Sequence, residues 1–345
     1  MKTKLWILIF SIFIGSAVMQ NCYAQDVSTP FKQGLAYYDA GNYTLAIEQY
    51  NKVLQSNPKD EKTLYNRGLA YFKLTNYESA IKDYTDAILI DLKYENAYFN
   101  RGLAYYYQGN YSFAIIDFNA ALNLNPESAE AIYSRGLCYR KKGDFETAIA
   151  DYTKAIKMNP QYTDAYYSRG LAYYFQGAYQ AAIDDYTFAI VLDSKYADSY
   201  YNRGLTYDKL NDTQHAIEDY TTTIKLKPED TDAHYNRGIA YYHQKDYDLA
   251  INDFNAALKI NSQQADVYVF LGLCYRKMEK YDLAIANFTS AIKIDPKSSL
   301  AYNNRGSMYY MQQKKDLCVA DWKKAADLGD NTSRKYLKDY YSIVY

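Results

Sequence analysis

The side chains able to do chemistry in this sequence are few, and their spacing brings none of them together. There are three histidines, His215, His234 and His243, with no HExxH spacing to set two imidazoles on one helix face around zinc. Beyond residue 24 the cysteines are Cys138, Cys274 and Cys318, without a CxxC pair. Cys138 and Cys274 both occur in "LCYRK", where similar stretches of the chain mostly have Ala, so they read as small buried residues. Gly-rich phosphate loops and a GxSxG nucleophile elbow are absent. Carboxylates are plentiful, 40 in all, but many recur with one fixed period, as structural pairs and solvated faces do. The sequence therefore predicts no catalytic residue, no metal site and no cofactor.

The period belongs to a building unit. "YNRGLAY" at 65–71 returns as "FNRGLAY" at 99–105, "YNRGLTY" at 201–207 and "YNRGIAY" at 235–241. Glycines stand at 34, 68, 102, 136, 170, 204, 238, 272 and 306, always 34 residues apart. A Tyr follows each Gly by three residues, and an aromatic follows each by sixteen. Twelve residues after the Gly comes Ala in eight of nine cases, with Cys318 in the ninth. If each unit is numbered 1–34 with this Gly at position 8, positions 4, 8 and 11 share one helical face, and positions 20, 24 and 27 share a face on a second helix. "GN", "GD" or "ND" near positions 15 and 16 breaks the chain between them. A helical Gly costs about 1 kcal/mol against Ala. Nine of them imply a neighbour too close for a Cβ.

This pattern resembles the tetratricopeptide repeat, a 34-residue helix–turn–helix unit. The resemblance implies an all-α, right-handed superhelix of nine repeats: 27–60, 61–94, 95–128, 129–162, 163–196, 197–230, 231–264, 265–298 and 299–332. Residues 333–345 read as a capping helix, since units of this kind cannot bury their apolar faces alone. One departure is systematic: the family usually has Leu before the Gly, and this chain mostly has Arg.

That Arg has a correlated partner. Position 7 is Arg67, Arg101, Arg135, Arg169, Arg203, Arg237 and Arg305, and position 23 is Asp83, Asp117, Asp151, Asp185, Asp219, Asp253 and Asp321. The first repeat loses both together (Gln33, Gln49), and so does the eighth (Leu271, Asn287). The joint loss predicts an ion pair within each repeat, because a charge inside a helix pair needs a partner. A row of arginines for anionic ligands is the functional alternative.

In the family, positions 2, 5, 9, 12 and 13 of the first helix line a concave groove. The resemblance thus nominates ligand-groove residues. Position 5 supplies Phe99, Tyr133, Tyr167, Tyr201 and Tyr235, and positions 12 and 13 supply Tyr106, Tyr107, Arg140, Lys141, Tyr174, Phe175, Lys209, Tyr242, His243, Arg276 and Lys277. Packing between neighbouring first helices is the other reading of the position-5 rings. The family's carboxylate clamp, Lys at position 5 with Asn at position 9, is missing. The expectation is a scaffold or adaptor that binds a protein or peptide, and its basic residues favour an acidic partner. A glycan-binding accessory protein is the alternative, because tyrosine rings stack on sugars.

Charge and targeting bound the setting. The net charge of −1 lacks the basic surplus of a nucleic-acid binder. "MKTK", the apolar run Leu5–Met19 and "CYA" at 22–24 follow the order of a secretory signal peptide over residues 1–24. The run is short for a membrane span, so membrane association is expected only if this segment stays uncleaved. The expected location is periplasmic or extracellular. With three scattered cysteines past the signal segment, packing rather than disulfides must hold the fold.

Overall fold

A computed structural model describes residues 29–344, and the predicted signal segment lies outside these residues. All of the regular structure described is α-helical, and it divides into two compact units, the first ending at Lys142 and the second beginning at Gly143. The first holds α1 (Pro30–Asp39), α2 (Tyr43–Ser56), α3 (Glu61–Lys73), α4 (Tyr77–Ile90), α5 (Glu95–Tyr107), α6 (Tyr111–Leu124) and α7 (Ala129–Lys141). The second holds α8 (Phe145–Met158), α9 (Thr163–Gln176), α10 (Tyr179–Leu192), α11 (Ala197–Lys209), α12 (Thr213–Leu226), α13 (Thr231–Gln244) and α14 (Tyr247–Ile260). It continues with α15 (Ala265–Lys277), α16 (Tyr281–Ile294), α17 (Ser299–Met311), α18 (Lys315–Asp327) and α19 (Asn331–Tyr341). In each unit a helix packs on its neighbours in sequence, and odd helices also meet, as α3 does with α5 and α13 with α15.

Local chemistry sets the helix ends. Asp60, Ser128, Asp230 and Ser298 cap odd helices by accepting from a backbone N–H three residues on, which satisfies a donor the first turn leaves open. Pro30 enters α1 in its first turn, where its missing N–H costs nothing. Each hairpin turn then reverses through one left-handed residue at position 15. It is Gly at 41, 109, 143 and 177, but Thr75, Asn211, Lys245, Glu279 and Gln313 adopt the same positive φ.

Within the two units, the position-8 glycines other than Gly136 face the aromatic ring at position 24 of their own repeat. A Cβ on Gly68 would come within 2.6 Å of the Tyr84 ring, and one on Gly238 within 2.7 Å of Phe254. The ring itself, fully buried with the small residues at positions 20 and 27, excludes a side chain at position 8. The cap, α19, starts at Asn331, two residues before the expected boundary, because Asp330 serves as its N-cap. Trp322, Tyr336 and Leu337 close that end.

Candidate functional site

Six of the position-7 arginines point into their hairpins. Arg67 donates from Nε to Asp83 Oδ2 and from Nη2 to Asp83 Oδ1, each at 2.7 Å. The same two-pronged contact joins Arg101 to Asp117, Arg169 to Asp185, Arg203 to Asp219, Arg237 to Asp253 and Arg305 to Asp321. Arg135 belongs to one unit and Asp151 to the other, so that pair stands as an expectation from the sequence. The guanidiniums also lie against tyrosine rings, Arg101 over Tyr98 and Arg203 over Tyr200 at 5.7 Å. Burial raises the pKa of Asp83, Asp117, Asp185 and Asp219, and the paired guanidinium opposes it. Both prongs need two acceptor oxygens, so the carboxylate is ionised in the closed hairpin. In the six pairs described, the donors are turned away from any anionic ligand.

The third arm of each guanidinium ties one repeat to the one before. Nη1 of Arg67 donates to Asn51 (2.6 Å), that of Arg101 to Thr85 (2.9 Å) and that of Arg135 to Asn119 (2.6 Å). In the second unit Arg169, Arg203, Arg237 and Arg305 reach Thr153, Thr187, Thr221 and Thr289. Sequence reasoning missed this bridge. Its signal was a polar Asn or Thr at position 25, but Asn255 keeps that residue although Leu271 follows where an Arg would be. There the junction is apolar instead, with Leu271 buried against Phe254, Val267 and Cys274.

The position-5 rings pack on rings of their own repeat, and three of them reach the next repeat through their hydroxyls. Tyr65 lies 5.9 Å from Tyr84 and 5.0 Å from Tyr94, and Tyr167 lies 5.9 Å from Tyr186 and 5.2 Å from Tyr196. Phe99, Tyr201 and Tyr235 pack likewise on Phe118, Tyr220 and Phe254, and Tyr133 is buried. The hydroxyls of Tyr65, Tyr167 and Tyr201 accept from Asn100, Asn202 and Asn236 of the next repeat. Burial pushes the Tyr65 and Tyr235 phenols up to about 12. These rings are engaged in packing.

Positions 12 and 13 differ from one another. Tyr106, Tyr174 and Tyr242 are half-buried, whereas Tyr107, Phe175, His243, Lys141, Lys209 and Lys277 are exposed. The position-13 rings stack almost flat on a ring of the preceding repeat: Tyr107 on Tyr77 at 5.6 Å, and Phe175 on Phe145 at 5.7 Å, both at 12°. Arg276 donates from Nη1 to Asn304 Oδ1 at 2.7 Å and also bonds Tyr242, so it is not the ligand-facing cation expected from its position. Arg140 is half-buried beside Tyr106, whose phenol burial raises to about 12 against the pull of that charge. Asp208, absent from the expected groove set, is exposed at position 12 of α11 and accepts from the buried hydroxyl of Tyr220.

Among the described residues no group of His, Cys, Asp or Glu is arranged to hold a metal ion, and no helix is long and apolar enough to cross a membrane. Two shallow cavities open on the surface. One of about 540 Å³ lies over the turn Lys227–Asp230, and one of about 430 Å³ lies by Tyr310, Met311, Gln313 and Tyr341.

Family models described as TPR repeat match residues 34–75, 136–177 and 170–211, and models described as tetratricopeptide repeat match 61–94, 95–128, 118–150, 201–265 and 265–298. Together they run without a gap from 34 to 298. No curated protein matches the chain. Among solved structures, MamA is 30% identical over 48% of this chain and 96% of its own, with a TM-score of 0.46. A tetratricopeptide repeat protein from Parabacteroides merdae is 21% identical over 71% of this chain and 97% of its own, with a TM-score of 0.52. The pilF protein of Pseudomonas aeruginosa is 20% identical over 64% and 97%, with a TM-score of 0.52. At these last two identities the likeness is one of fold.

Proposed function

The chain belongs to the tetratricopeptide repeat family, and from that premise we propose that it is a non-enzymatic interaction scaffold of the bacterial cell envelope. It binds a protein or peptide along the odd-helix face of its repeats. The observation that carries this reading is what the fold leaves over. After the arginines, the position-5 rings and Arg276 are committed to packing, positions 12 and 13 still present Tyr107, Phe175, Lys209, His243 and Lys277 to solvent. Phe175 is 58% exposed, more than packing requires. Aromatic and cationic side chains of this kind dominate binding hot spots. The flat ring pairs, Tyr77–Tyr107 in the first unit and Phe145–Phe175 in the second, favour a second reading, in which such a pair stacks on a sugar ring of a glycan.

The signal-like start supports export, with residues 1–24 removed and the remainder periplasmic or extracellular. Mass spectrometry of the exported protein should find Gln25 at its N-terminus, and a retained Met1 would oppose this. Parallel peptide and glycan arrays probed with residues 25–345 test the function. Peptide spots that weaken about tenfold with Phe175→Ala support the scaffold, given that such truncations cost on the order of 1–2 kcal/mol. Binding confined to glycans would replace it with the second reading.

A further inference from the structure

At position 12 of the odd helices the second unit places one acidic group between repeats that carry rings. Position 12 is Tyr174 in α9, Asp208 in α11 and Tyr242 in α13. Asp208 is exposed, and one oxygen, Oδ2, is held by the hydroxyl of the fully buried Tyr220. Its other oxygen, Oδ1, has no donor among the described residues. Tyr201 packs on Tyr220, with ring centroids 6.0 Å apart. Burial first, then Asp208, then Tyr201 and Tyr174 raise the Tyr220 phenol, which puts all of these groups in one neighbourhood. Lys209 and His243 lie near Asp208 without a hydrogen bond to it. Arg276, at the same position in α15, is bonded to Asn304 and Tyr242.

We propose that Asp208, held by Tyr220 and with Tyr174 in its neighbourhood, is the seat for a cationic side chain, Lys or Arg, of the bound peptide. The inference rests on the peptide-binding reading above and reverses the acidic partner that the groove's basic residues suggested. A carboxylate with a free oxygen takes a charge-assisted hydrogen bond, and a cation is attracted to neighbouring ring faces. An anion would meet Asp208 directly. Tyr220 is a positioning residue: where the ring at position 24 is Phe118, Phe254 or Phe288, no hydroxyl exists to fix a carboxylate.

A random peptide array probed with residues 25–345 tests this. Bound peptides should be enriched in Arg and Lys. The strongest, remade with its basic residue changed to Gln, should lose about tenfold in affinity for the native protein, a difference of about 1.4 kcal/mol. On Asp208→Asn, which keeps an acceptor for Tyr220, the same change should cost almost nothing. Matching urea midpoints establish that the variant is folded, and Asp208→Ser serves if Asn shifts them. Enrichment in Asp and Glu would overturn the proposal, as would an equal loss on both proteins. Peptides bound without a basic preference would remove this seat alone, whereas no peptide binding at all would remove the scaffold reading with it.

Discussion

Arg203 fastens two repeats with one side chain: Asp219 across its own hairpin and Thr187 in the repeat before. Its side chain is 17% exposed and that of Asp219 6%, so removing one charge strands the other in a poorly solvated place. Arg203→Leu should destabilise the protein by about 3 kcal/mol in urea unfolding. Adding Asp219→Asn should recover most of that, because the eighth repeat already holds Leu271 with Asn287. A double variant no better than the single would contradict this account of the pair. The tyrosines at position 24 make a sharper contrast. The Tyr84 hydroxyl is buried with no hydrogen-bond partner among the described residues, while that of Tyr220 bonds Asp208. Tyr84→Phe should leave stability unchanged or raise it, and Tyr220→Phe should lower it by about 1 kcal/mol. Thermal melts of the two variants moving together would oppose this.

The hairpin turn is decided by one left-handed residue, and the chain does not always supply the residue best suited to it. Thr75 has a φ of 60° where Gly41 and Gly109 have 77° and 82°. A β-branched residue there costs roughly 1–2 kcal/mol, so Thr75→Gly should stabilise the protein by about 1 kcal/mol. A lower urea midpoint would show that Thr75 makes a compensating contact. At this scale the sequence was informative. Thirty-four-residue spacing placed the helix pairs, and the joint loss at positions 7 and 23 identified the partners Arg and Asp before any coordinates. Two things were not legible. The bridge to position 25 left no matching loss, since Asn255 persists opposite Leu271. The family resemblance put the position-5 rings on the groove face, but whether a ring there faces a ligand or the next repeat depends on the angle between successive hairpins. Tyr65 and Tyr167 place their hydroxyls against Asn100 and Asn202 of the next repeat.

Across the whole molecule the 44 tyrosines make alkaline pH the weak side of the fold. Burial raises Tyr38, Tyr65, Tyr94, Tyr106 and Tyr235 from the ordinary value near 10 to about 12. A group that is harder to ionise when folded stabilises the fold while both states are protonated. That contribution is complete below pH 10 and is lost between about 10 and 12. Phenolate absorbance should therefore rise together with the loss of helical circular dichroism inside that window. Independent titration of these phenols with helices intact would contradict their burial.

The scaffold reading assigns function to one face: partners meet the odd helices, and the even helices support them. Hydrogen–deuterium exchange of residues 25–345, with and without the tightest peptide from the array, measures this directly. The account predicts slowed exchange in α9, α11, α13 and α15, with α10, α12, α14 and α16 unchanged. Protection confined to the even helices would contradict it.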